Sequence, residues 1–267
     1  MIDGDRDDIA KKEQERIDRI KAIAELANTG VDLESNTVRR PMAVLATSIE
    51  AIEEVIKTGH LPTGIRDSGG RLYFYPLEEN TSEEDISEIK DGLDAYGHIL
   101  GFEQNFAQSL GLDRGQDGEF IAGIFEAIQN ILLFDFIKTK GKSSGLSTAG
   151  EREDLSILEN ITLDEFAKAS SSSKEYIYVY AEELAKKNIT FKEIMEKAIK
   201  SYSRRGVLIG LGGNIADLKP KPAEDRDEGW YVDAPDGLSI DYFSGITPLT
   251  SDGQEAEYLE GLKKKFN

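Results

Sequence analysis

The chain has 267 residues and a formal net charge of −19, from 51 Asp and Glu against 32 Lys and Arg, with two histidines and no cysteine. Without cysteine, disulfides, thiolate metal sites and cysteine nucleophiles are excluded, and His60 and His98 alone leave no multi-histidine zinc site, so no metal is expected. A surface this acidic repels phosphate backbones; it argues against nucleic acid as the main partner and suits solubility or a basic protein partner.

The opening MIDGDRDDIAKKEQER is acidic and then mixed in charge, the opposite of a secretory leader. Residues 5–28 carry a thin apolar stripe (Ile9, Ile17, Ile20, Ala24), which predicts a long, mostly solvated helix ended at Gly30. A short apolar run after Pro41, residues 42–45, reads as a strand. Thr47, with Glu50 three residues on, predicts a capping box before the periodic set Ile49, Ile52, Val55 and Ile56, and Gly59 supplies a left-handed stop. GRLYFYP, 70–76, is a strand by its aromatic content and its flanking Gly and Pro.

Residues 82–138 are helical in pattern, with breaks expected at Gly97, Gly101 and Gly111. The apolar stretch at 120–134 is interrupted by Glu126, Gln129 and Asn130, which makes it a buried helix and not a membrane span. The chain is therefore read as soluble and cytoplasmic, with no membrane partner. Residues 138–154 have loop composition, and Thr162 with Glu165 predicts a second capping box in a short helix over 155–169. The serines at 170–173 form a linker or cap. Residues 174–203 are helical, with a strand left open at 176–180. The chain then gives a strand at 206–211, an irregular acidic loop, a strand near 238–246 and a polar helix at 252–265. No internal repeat is present.

Together these elements predict an α+β fold in one domain over 1–267. Segments 37–80 and 204–267 form a small twisted sheet, mixed or antiparallel and split in sequence. A helix over 1–30 precedes it, and a large helical insertion occupies 82–203.

RGVLIGLGGN, from residue 205, has the look of a strand feeding a phosphate-binding turn, with Gly210 and Gly212 at the first two fingerprint positions. The third glycine position holds Ile215, and Pro220 and Pro222 deny the turn its helix. It is therefore read as a buried strand ending in a turn. DGDRDD and the acidic run at 223–229 resemble calcium loops but lack the glycine at the sixth position and the glutamate at the twelfth. His98, flanked by apolar residues in YGHILGF, reads as a hydrogen-bonded core histidine.

Several separated blocks resemble the ADP-ribosyltransferase fold superfamily. VLATSIEAIEEVIKTGHLP is similar to its opening strand, helix and turn, GRLYFYP to its second strand, and RGVLIGL and GLSIDYFSGITPL to its late strands. The resemblance implies NAD as substrate, bound in a cleft of the split sheet, with ADP-ribose passed to a protein or small-molecule acceptor. It implies Tyr73 as the residue stacking on nicotinamide, with Tyr75 a close competitor. Thr47, Ser48 and an arginine (Arg40 or Arg39) would hold ribose or phosphates. Asp241 would take the place of the catalytic glutamate, one methylene shorter, and Leu45 stands where the family has a histidine. The rival reading is a non-catalytic interaction protein that keeps this fold and turns its acidic surface to a basic protein partner.

Overall fold

In a computed structural model of the chain the described residues are 3–33, 41–63, 70–77, 81–140, 155–223, 229–251 and 253–266. Arg39 and Arg40, residues 141–154 and most of the acidic run at 223–229 lie outside them. Two compact units form, residues 1–100 with 205–267, and residues 101–204.

The first unit contains α1 (Asp3–Thr29), β1 (Ala43–Thr47), α2 (Ile49–Thr58), β2 (His60–Leu61), β3 (Arg71–Pro76) and the first part of α3 (Glu83–Leu110). The second unit takes the rest of α3, then α4 (Gly118–Lys140), α5 (Leu163–Ala169), α6 (Lys174–Lys186) and α7 (Phe191–Tyr202). The chain then re-enters the first unit as β4 (Val207–Leu211), β5 (Lys221–Pro222), β6 (Trp230–Asp233), β7 (Leu238–Ser239), β8 (Phe243–Pro248) and α8 (Gln254–Phe266). The fold is α+β. Six strands form an antiparallel sheet in the order β5-β6-β3-β1-β4-β8, and β2 and β7 pair in a two-stranded sheet.

β1 is apolar from Ala43 to Ala46 because both sheet faces are covered there, and all five of its residues, Thr47 included, are buried. Ala43 and Leu45, with Val207, Ile209 and Leu211, face α1, α2 and α8. Val44 and Ala46, with Leu208, face Ile89 and Leu93 of α3. On β4, Gly210 lies opposite Gly245 of β8. A Cβ on Gly245 would overlap the Gly30 carbonyl, and one on Gly210 would lie 3.1 Å from Pro41 Cβ. The glycine of RGVLIGLGGN thus makes room for chain crossing a sheet. Gly212 that follows has φ −80 and opens only a 3₁₀ turn, Gly213–Leu218.

In the second unit Phe102 and Phe106 stack at 5.3 Å and Phe125 meets Phe102 at 5.0 Å, with Phe120 and Tyr202 completing the aromatic core. The serine run closes this unit. Hydroxyls of Ser170, Ser171 and Ser172 donate to the Glu126 carboxylate on α4. Among the described residues no helix is long and apolar enough to cross a membrane.

Five local expectations change. The cap of α2 is Ser48, whose hydroxyl accepts from the Ala51 N–H, because Thr47 is still held in the sheet opposite Val207. α3 runs through Gly97 and Gly101, where the glycines admit the backbone of residues 204 and 205, and it stops only at Gly111. Residues 176–180 are helical, since Ile177, Ala181 and Leu184 bury one stripe of α6. The acidic loop contains β6, which pairs with β3. The strand near 238–246 is interrupted by a 3₁₀ turn, Ile240–Tyr242, which carries Asp241.

Candidate functional site

Alternation on β3 sends Leu72 and Phe74 to the core shared with α1, α2 and α8, and turns Tyr73 and Tyr75 to the other face. Over that face runs α3, where Gly92, Ala95, Tyr96 and Ile99 recur at i, i+3, i+4 and i+7. Between them lies a cavity of about 270 Å³, lined by Tyr73, Tyr75 and Tyr96 with apolar residues of β1 and α3. Gly92 is one reason the space exists: a Cβ there would be 3.9 Å from the Tyr75 hydroxyl, and any larger side chain would enter the gap.

Beyond Tyr73 the same sheet face continues as a charged aromatic surface. Tyr73 and Tyr231 lie 5.8 Å apart at 44°. The Arg71 guanidinium sits 4.5 Å above the Tyr231 ring and the Lys221 ammonium 5.7 Å from it. Lys221 also donates to Asp233 at 2.7 Å, and Arg71 approaches the same carboxylate at 3.9 Å. The Lys221 hydrogen bond holds Asp233 below its ordinary value, and the hydrogen bond with Tyr73, then the charges around it, hold Arg71 above its own.

Away from the cavity, α3 carries Asp94 and His98. Burial pushes the Asp94 carboxyl up. His98 is buried, and Arg205 donates to its Nδ1 at 2.7 Å, which requires that nitrogen to be unprotonated. That is the hydrogen-bonded core histidine the sequence suggests.

Of the residues singled out from sequence, Tyr73 and Tyr75 share the cavity wall. Thr47 and Ser48 do not line it: Thr47 is buried in β1 and the Ser48 hydroxyl is engaged as a helix cap. Asp241 does not line it either. It is exposed, and its carboxylate accepts from the Ser239 hydroxyl at 3.0 Å. The turn bearing it leads into β8, three strands from β3 in the sheet order, a lateral offset of roughly 14 Å at sheet spacing. Arg40 lies outside the described residues. The sequence reading did not single out Tyr96, Gly92 or Tyr231. The α3 spacing was visible but is the same as that of any buried stripe, and Tyr231 sits in a four-residue strand within acidic sequence.

Among the described residues, no carboxylate or imidazole lines the cavity, and no group of three or more His, Asp or Glu converges on a metal position. Tyrosine side chains beside apolar residues can hold an apolar, aromatic or cationic group. No protein-family model, curated protein or solved structure matches the chain.

Proposed function

We propose that the protein is a non-catalytic interaction protein that binds a basic protein partner through its acidic surface, with the tyrosine-lined cavity as the anchor point. The observation that carries this reading is a cavity walled by Tyr73, Tyr75 and Tyr96, with no carboxylate or imidazole in its lining, beside the acidic start of α3. Glu84, Glu88 and Asp91 are exposed there and lie one or two turns before Gly92 and Ala95 on the same side of the helix. A cavity of about 270 Å³ falls just below the ~300–1,000 Å³ typical of small-molecule sites, which suits one anchoring side chain better than a dinucleotide. The test is binding of a short Lys-Ala peptide to wild type and to the double variant Glu88→Lys, Asp91→Lys. The reading expects binding that the double variant loses; equal binding by both would remove α3 from the interface.

A second reading, NAD-dependent transfer of ADP-ribose, keeps one observation in its favour: Tyr73 and Tyr75 line a cavity on the sheet, as a nicotinamide-stacking residue would. Asp241 would need to act from outside that cavity. NAD consumption that disappears in Asp241→Ala would establish this reading, and its absence in wild type would dispose of it.

A further inference from the structure

We infer that the cavity is an organic-cation pocket, accepting the ammonium or guanidinium head of a Lys or Arg side chain from the basic partner. This deepens the interaction-protein reading and rests on it. The π faces of tyrosine carry negative electrostatic potential, and a cation held against them out of water is attracted more strongly than at an open surface. Three tyrosines line this one small cavity.

The protein supplies its own precedent on the same sheet face. Tyr231, in contact with Tyr73, is covered by the Arg71 guanidinium at 4.5 Å, with the Lys221 ammonium at 5.7 Å. The Tyr231 ring of β6, the neighbour of Tyr73 across the strand pair, is thus presented so that a cation covers it. Arg71 and Lys221 are themselves engaged with Asp233, and neither lines the cavity.

The approach is also polarised. Gly92 and Ala95 are exposed where α3 borders the cavity, and Glu88 and Asp91 stand four residues before them, also exposed. A cation arriving from this side meets carboxylates first and ring faces next. The occupant is a side chain because the volume suits one chain with a terminal cation, and it is basic because the flank and the molecule, at −19, are acidic.

The experiment is a calorimetric titration of the whole chain with n-butylammonium, n-butanol and n-butanoate, and with the Lys-Ala peptide. The variants are Tyr96→Phe, Tyr96→Leu and Gly92→Leu. The inference expects butylammonium and peptide to bind and butanol to bind at least about tenfold more weakly. Tyr96→Phe should stay within about threefold of wild type while Tyr96→Leu loses about tenfold, because phenylalanine keeps the ring face and leucine does not. Gly92→Leu fills the space from an exposed helix position and should abolish butylammonium binding; it decides the matter if Tyr96→Leu fails to fold. Equal binding of butanol and butylammonium, or unchanged binding by Tyr96→Leu and Gly92→Leu, would overturn the cation pocket. So would selective binding of n-butanoate, an anion of the same chain length. A peptide that binds but ignores the cavity variants overturns this inference and leaves the partner reading standing. Butylammonium bound by a chain that ignores the peptide does the reverse.

Discussion

Glu126 illustrates how single residues set local behaviour. Burial alone would raise its carboxyl, but hydrogen bonds from Ser172, Ser170 and Ser171 outweigh it and hold the group below its ordinary 4.5. A depressed folded value means that the stabilisation is complete above the unfolded value and is lost as pH falls through the folded one. Wild type should therefore lose stability to acid more steeply than Glu126→Gln over the window that opens at the ordinary 4.5 and extends below it. Urea midpoints at both ends of that window would check this; parallel acid limbs would mean that the serine clasp does not depend on the charge. At this scale the sequence was legible where composition and punctuation decide, as for the strand that holds Tyr73 and Tyr75. It was illegible where a residue's role depends on a distant partner. Nothing near Asp241 in sequence says that a 3₁₀ turn interrupts the late strand, and nothing near Ser170 points to a carboxylate 44 positions earlier.

Elements show the same division between local and long-range causes. Both capping boxes, Thr162 with Glu165 and Thr190 with Glu193, close within four residues, and the first was readable without any tertiary knowledge. The α2 cap moved from Thr47 to Ser48 because sheet pairing, invisible locally, keeps Thr47 extended. α3 offers a sharp test of this distinction. Gly92 and Gly97 are both helical glycines, yet a Cβ on Gly92 meets only the Tyr75 hydroxyl at 3.9 Å, while one on Gly97 would lie 2.9 Å from the Arg205 carbonyl and overlap Leu249. Gly92→Ala should therefore raise stability by about 0.5–1 kcal/mol through helix propensity. Gly97→Ala should lower it by about 1–3 kcal/mol through overpacking. Denaturant unfolding of the two variants reads the sign directly, and a shared sign would contradict the packing of α3 against Arg205 and Leu249.

At the scale of the whole molecule, the α+β class, the sheet assembled from both ends of the chain and the helical stretch between were all legible from apolar periodicity and Gly/Pro punctuation. The partition was not. The boundary between the two units falls inside α3, at residue 101, because the first half of that helix covers the sheet while Phe102 and Phe106 enter the aromatic core of the second unit. Charge is the molecular property that bears most directly on function. In the proposed reading the charge of −19 draws in a basic partner over a long range, and that attraction must weaken as added salt shortens the Debye length from ~10 Å at 0.1 M to ~3 Å at 1 M. The most direct measurement is a side-by-side calorimetric titration of the chain with the Lys-Ala peptide and with NAD, at low and at high salt. The account predicts peptide binding that weakens steeply with salt and no saturable heat from NAD. Saturable NAD binding with no heat from the peptide at either salt concentration would contradict it.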